Sequence, residues 1–483
     1  MSTVYDAVII GSGVIGSAVA RELSRFKLKI GVLEKELDVC SETSGRNSAV
    51  IHGGFAYDIG TLKAKFCVEG CLEFDKTADE LDIPFKRTGK VLVGNTEDDL
   101  KSLEETKRTG EINGSRGLEI VDKKRLRELC PYVNGEFALY SPYSGIVDPF
   151  QYTIALAENA KRNGADFFFG HEVSYIRRTP DKLYEIHTSC GNFLARWVIN
   201  CAGLYSDKVS AMLGIPGYRI GGFKGDYIIL DKRVGGLLPM PAYPVPNNID
   251  MGIHVTPTID GTVTVGPHSE EVTDFSYYGV PKQVVEDLAE SASHLWPHIR
   301  REDFIRNYSG IRPKLVDENG VVQDFVIEAR DEAPNTVNLV GIESPGLTGA
   351  LPIARYAVGL IKEREALKEK PDFEPRRKGI VRFSLQNDEE KARLIEQDPD
   401  YGEIVCRCET VTKAEILQAI RNPLGVCTMA AVKNRTRAMM GRCQGGYCQM
   451  RIAKMIQEET GVDVTGVLLS RKGSNLFTGR VRK

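Results

Sequence analysis

No stretch of this 483-residue chain is apolar for the roughly 20 residues that a membrane span requires. The most apolar run, Ala7 to Ala20, is short and is broken by three glycines. The first residues, Met1-Ser2-Thr3-Val4-Tyr5-Asp6, lack the basic n-region of a secretory signal. Net charge is almost missing too: 63 Lys and Arg against 66 Asp and Glu leave −3. That falls short of the basic bias a large nucleic-acid footprint needs, so no nucleic-acid partner is expected. An anionic small molecule stays open, because a local basic pocket does not require a basic protein. Cysteines are too sparse for a disulfide framework, with eleven in the whole chain. Seven are scattered (Cys40, Cys67, Cys71, Cys130, Cys190, Cys201 and Cys427) and read as buried, reduced thiols in a cytosol. A peripheral contact with the inner face of a membrane is left open.

What remains is ordinary globular composition, 42% apolar and 27% charged, with length for two to four domains. Residues 4–10 predict a buried strand, followed by a glycine turn, a helix to about Phe26 and a strand from Lys29 to Leu33. Similar α/β signals return around 146–215 and 326–365, while 86–145 and 216–325 are β-rich. The expected fold is therefore an α/β, Rossmann-like nucleotide domain interleaved with a mainly antiparallel β substrate domain over residues 1–365. Residues 366–400 are charged and proline-bearing with no period, which is linker composition. A small helical domain is expected over 401–483.

Gly11-Ser12-Gly13-Val14-Ile15-Gly16 has the G-x-G-x-x-G spacing. The first glycine permits a tight turn, the second lets backbone approach a pyrophosphate, and the third lets helix pack on strand. Glu34 ends the next strand, where a carboxylate can accept from ribose hydroxyls. Three further segments follow in order: Thr43-Ser44-Gly45-Arg46-Asn47-Ser48, Asn200-Cys201-Ala202-Gly203-Leu204-Tyr205-Ser206-Asp207 and Gly341-Ile342-Glu343-Ser344-Pro345-Gly346-Leu347-Thr348. In these the chain resembles the D-amino-acid-oxidase-like FAD superfamily. The resemblance implies bound FAD, with contacts from Thr43, Ser44, Arg46, Asn47, Ser48, Ala202, Gly203, Gly346, Leu347 and Thr348.

Near the C-terminus stand Cys406-Arg407-Cys408 and, after 34 intervening residues, Cys443-Gln444-Gly445-Gly446-Tyr447-Cys448. Four thiolates in two close pairs suit [2Fe-2S] or zinc. A C-x-C pair is unusual for structural zinc, and the pattern resembles the bacterioferritin-associated-ferredoxin type of [2Fe-2S] domain. Thr412-Lys413-Ala414-Glu415 reads as a capping box that opens a helix there.

Within the superfamily the chain is similar to the glycerol-3-phosphate dehydrogenase and L-2-hydroxyglutarate dehydrogenase branch. The matching stretches are Asn47 to Gly54, Phe223 to Tyr227, Gly252 to Thr256 and Tyr308 to Lys314. Oxidising a secondary alcohol needs a base for the hydroxyl proton while hydride goes to the flavin. His254 is the first candidate, expected to share a strand face with Thr256, and His52 is placed at the flavin. Arg312 and Lys314 are candidates for holding an anion, and Lys224 and Tyr227, read at a strand start, for lining the pocket. The expected activity is oxidation of sn-glycerol 3-phosphate to dihydroxyacetone phosphate. Electrons would then pass from flavin to cluster and on to a partner subunit, or to a quinone- or pyridine-nucleotide-linked protein. A 2-hydroxyacid dehydrogenase, an amine or amino-acid dehydrogenase, and an electron-transfer subunit without its own substrate stand as alternatives.

Overall fold

The computed structural model describes residues 3–245 and 252–479. Strand β1 (Val4–Ile10), helix α1 (Val14–Leu23) and strand β2 (Ile30–Glu34) form the expected opening. β1 lies between β2 and Gly191–Asn200, parallel to both, and Asp166–Phe169 and Thr336–Val340 extend the parallel run outward. Helices cover the sheet, which is why β1 is apolar nearly throughout rather than alternating. Ala18, Val19 and Ala20 of α1 are fully buried, and the helix packs against Pro149–Arg162 and Ala350–Lys362.

The second sheet is mainly antiparallel. Its longest pairing joins Ile220–Leu230 to Phe304–Leu315, with Phe223 opposite Arg312, Gly225 opposite Gly310 and Tyr227 opposite Tyr308. Lys90–Gly94 carries the sheet on through parallel pairing with Ala242–Pro244 and antiparallel pairing with Phe137–Ser141. Three sequence expectations need correction here. The stretch 86–145 also carries the helices Glu97–Asn113 and Lys123–Leu129. Lys224 and Tyr227 sit inside a strand that begins at Ile220, not at its start. His254, expected on a strand face with Thr256, stands just before the strand, which is Val255–Pro257; residues 246–251 lie outside the described residues.

The segment 366–400 is tied down by partners distant in sequence. Arg377 ion-pairs with Glu158 at 2.7 Å, Asn163 bonds Glu374, and Arg21 donates to the Pro375 carbonyl. It also contains the helix Asp388–Gln397, opened by an Asn387–Glu390 capping box. The C-terminal domain has its own core around Val405, Ile416, Val432 and Ile452. It docks through charge. Arg435 meets Asp38 at 2.6 Å with its side chain only 1% exposed, and Arg437 pairs with Asp260.

Removing one partner of a buried ion pair strands the other charge and costs about 3–5 kcal/mol. Glu158 stands 3.8 Å from Arg435 and softens the loss, so Asp38→Ala should cost about 3 kcal/mol. The expected readouts are a lower denaturation midpoint and faster protease cleavage within 366–400; unchanged values would remove this pair from the docking account.

Candidate active site and cluster site

The nucleotide turn leaves no room for side chains. Gly11 has φ +100°, and a Cβ there would meet the Cys201 carbonyl oxygen at 2.5 Å. A Cβ on Gly16 would meet the Gly11 carbonyl oxygen at 2.0 Å, so Gly16 lets helix close on turn. The Val14 amide, first in α1, donates to Ser44 Oγ at 2.9 Å. The Glu34 carboxylate accepts from the Ser12 amide and hydroxyl and the Glu36 amide. Burial pushes the Glu34 carboxyl up, while the bonds from Glu36 and Ser12 oppose that rise.

From this turn a cavity of about 830 Å³ runs between the two sheets. Gly11, Gly13, Glu34, Ala202 and Gly203 line its nucleotide end; Thr43, Ser44, Arg46, Asn47 and Ser48 line its middle. Gly346, Leu347 and Thr348 close one side, and Thr348 Oγ1 accepts from the His52 amide at 3.0 Å. The long trough, the glycine turn without room for Cβ atoms and the carboxylate ending β2 fit an extended dinucleotide.

The far end gathers His52, Tyr227, Tyr243, His254, Arg312 and Lys314. His254 is buried and stacks face to face on Tyr243, 3.4 Å between centroids. Burial holds His52 well below the usual histidine range, with Lys90 and His254 adding to the effect. A neutral imidazole is a competent proton acceptor. Arg312 donates to Ser269 Oγ and the Phe223 carbonyl, and no carboxylate pairs with it among the described residues. Lys314 differs: Glu343 sits 3.4 Å from it and 3.0 Å from Lys63, so much of its charge is answered. Lys224 does not line the cavity. Strand parity puts it on the face opposite Tyr227, where it is buried and paired with Asp226 at 3.0 Å.

Lys90 was not singled out from the sequence. It is only 4% exposed, lines the cavity, and lies 3.7 Å from the Tyr243 ring centroid and 5.0 Å from that of Phe55. Burial lowers its pKa to about 7. The available signal was a lysine opening an otherwise apolar strand, Lys90-Val91-Leu92-Val93.

At the other end of the chain, Cys406 lies beside Cys448 and Cys408 beside Cys443. Backbone amides of Met439 and Glu409 point at Cys406, and those of Tyr447 and Gly445 at Cys443. Such donors suit thiolate sulfurs. Among the described residues, no three of these sulfurs fall within 4.8 Å of one another. Around a single zinc, with Zn–S near 2.3 Å, all four sulfurs would lie about 3.8 Å apart. Two close pairs set further from each other fit a two-iron cluster better. Cys406 and Cys448 are buried, whereas Cys408 and Cys443 reach the surface.

Comparison with known proteins agrees with this geometry. Residues 6–360 match the FAD dependent oxidoreductase family, and residues 404–458 match the BFD-like [2Fe-2S] binding domain. A glycerol 3-phosphate dehydrogenase from Caloramator mitchellensis is 37% identical over 98% of both chains. A mitochondrial L-2-hydroxyglutarate dehydrogenase from Caenorhabditis elegans is 31% identical over 73% of this chain and 92% of its own. Among solved structures, L-alpha-glycerophosphate oxidase from Mycoplasma pneumoniae with FAD bound superposes with a TM-score of 0.72 at 28% identity. That match covers 78% of this chain and 98% of the other.

Two substitutions separate the two sites. A Cβ on Gly13 would already meet Ser44 Oγ at 2.9 Å, so Gly13→Val should yield folded protein with little flavin absorbance. Wild-type protein should hold about two iron and two sulfide per chain, and Cys443→Ala should lose both while keeping its flavin. One zinc and no sulfide would refute the cluster assignment.

Proposed function

Because the chain belongs to the FAD-dependent oxidoreductase family and ends in a BFD-like [2Fe-2S] binding domain, we propose that it oxidises sn-glycerol 3-phosphate to dihydroxyacetone phosphate. The observation that carries an anionic substrate is the far end of the cavity, where Arg312 and Lys90 stand without a carboxylate partner among the described residues. A neutral polyol would leave those charges desolvated and unanswered, which is costly. The choice of phosphate over a dicarboxylate is supported by the end-to-end likeness to the Caloramator protein, which spans the cluster domain as well.

The chain's own groups then divide the work. Arg312 offers a planar fork to the anion and Lys90 a point charge. His254, braced on Tyr243, takes the hydroxyl proton, and His52 stays neutral beside it. Bound FAD supplies the two-electron acceptor for the hydride, and the [2Fe-2S] cluster a one-electron carrier. Exposure of Cys408 and Cys443 supports an outward path to an electron-accepting partner, a subunit or a quinone- or pyridine-nucleotide-linked protein. No helix among the described residues is long and apolar enough to cross a membrane. We place the protein in the cytoplasm on the sequence alone.

Anaerobic mixing with candidate substrates tests the reading. Glycerol 3-phosphate should bleach the flavin; bleaching by L-2-hydroxyglutarate alone would move the activity to 2-hydroxyacids. Bleaching only by reduced protein partners would make the chain an electron-transfer subunit. Arg312→Ala should raise KM by about tenfold to a hundredfold with a smaller change in kcat. His254→Ala should slow flavin reduction at saturating substrate by about 10²-fold or more.

Lys90 adds a pH dependence. It carries its charge below about pH 7 in the free protein, and a bound anion raises that pKa. Substrate binding should therefore weaken above pH 7, by about tenfold per unit at most, until the bound-state pKa is passed. Lys90→Met should bind more weakly at pH 6 and lose this slope; a slope that persists would assign it to another group.

A further inference from the structure

A second cavity, about 310 Å³, lies behind the first. Arg46, Asn47 and Ser48 line both, so this short segment is the wall between them. The opposite wall belongs to the cluster domain, with Lys433, Asn434 and Gln444. Five cations line it; Arg437 pairs with Asp260 and Glu409, and Arg471 with Glu36 and Glu42, which leaves Arg46 from the flavin-side segment, Arg306 from the strand Phe304–Leu315, and Lys433 from the helix Met429–Thr436.

The acids around them are already engaged. Asp38 pairs with Arg435, Asp148 with Arg382, and Asp260 with both Arg382 and Arg437. Among the described residues no carboxylate stands within ion-pair distance of Arg46, Arg306 or Lys433. Arg46 spends its guanidinium on the Ser41 and Ser309 carbonyls and the Tyr278 ring. Arg306, open to solvent at the rim, donates to Gln444 Oε1 at 3.5 Å. Burial lowers Lys433 to about 8, and Arg306 and Arg46 push the same way. A domain junction that collects repelling cations around a cavity is stabilised by whatever anion fills it.

We propose that this cavity binds the phosphate group of a small phosphorylated molecule, held between Arg46, Arg306 and Lys433 at the junction of the flavin and cluster domains. A phosphate monoester carries about −1.5 to −2 charge and three acceptor oxygens, which matches three convergent donors better than one carboxylate does. The volume exceeds a bare ion, and Phe150 and Tyr308 line the cavity beside the cations, which leaves apolar surface for an organic remainder.

The test uses the holoprotein and inorganic phosphate as probe, at ionic strength held constant with chloride. Phosphate should raise Tm saturably in wild type and in Arg312→Ala, whose change lies in the other cavity. Lys433→Gln and Arg306→Gln, one from each side of the junction, should lose most of that rise. In phosphate-free buffer Lys433→Gln should be at least as stable as wild type, because repulsion is relieved. No saturable rise in wild type, a full rise in both junction variants, or loss of the rise in Arg312→Ala alone would overturn the proposal. The last outcome would place the phosphate in the substrate cavity.

Discussion

The Arg46 backbone lies so close to the strand Phe304–Leu315 that a Cβ on Gly310 would meet its carbonyl oxygen at 1.9 Å. Two hydrogen bonds fix the same seam: Thr43 Oγ1 donates to the Ile311 carbonyl at 2.7 Å, and the Tyr308 hydroxyl to the Asn47 carbonyl at 2.8 Å. This contact joins the dinucleotide half of the molecule to the substrate half. It also sets what one strand face can do. Strand parity puts Arg306, Tyr308, Gly310, Arg312 and Lys314 on one side of Phe304–Leu315. Gly310 sits where the wall touches, Arg312 and Lys314 face the large cavity, and Arg306 and Tyr308 face the smaller one. A shift of one residue in the pairing with Ile220–Leu230 would exchange the two faces, withdrawing Arg312 and Lys314 from the large cavity and Arg306 from the smaller one.

Charge is distributed unevenly over this frame. At the docking surface nearly every cation has an acid: Arg435 with Asp38, Arg437 with Asp260 and Glu409, Arg382 with Asp148 and Asp260. At the cavities the pairing stops. Lys314 has Glu343, but among the described residues no acid lies within ion-pair distance of Arg312, Lys90, Arg306 or Lys433. Acids do line these walls, Asp38, Asp148 and Asp260 at the smaller cavity among them, but those three are paired with Arg435, Arg382 and Arg437, so the unanswered cations are a matter of placement. Cations gathered at a cavity without acid partners repel one another and reward an anion that arrives.

Local signals were the ones legible in the sequence. The glycine turn could be read because each glycine answers a short-range need, and the structure shows a neighbour blocking a Cβ at Gly11 and Gly16. The capping box at Thr412 was equally local, and both of its hydrogen bonds are present. What escaped depends on partners far away in the chain. Lys314 looked free because Glu343 is distant in sequence, and the order of 366–400 comes from Glu158, Asn163 and Arg21. Lys224 was misplaced for a simpler reason. Once the strand is extended back to Ile220, parity alone sends Lys224 and Tyr227 to opposite faces, and only the tyrosine reaches the cavity. Lys90 escaped because a lone lysine beside apolar residues is indistinguishable from a strand end until Tyr243 and Phe55 close over it.

The docking of the cluster domain follows from the same electrostatics. An apolar interface tolerates small slides, because the dispersion attraction given up on one side is recovered on another. Arg435 and Asp38 tolerate none: displaced, each would be buried without a partner, at a cost of about 3–5 kcal/mol. Gln151 reinforces the register by donating to the Asn434 and Arg435 carbonyls, at 2.8 and 3.0 Å. The domain is thus held in one orientation relative to the flavin-side wall, with Cys406 and Cys448 buried in its own core and Cys408 and Cys443 at the surface. Transfer between two redox groups depends on their separation, so a single orientation serves the proposed electron path better than a flexible tether would. The charged, proline-bearing segment that joins the domains is accordingly pinned along its length by Arg377 and Glu374 instead of swinging free.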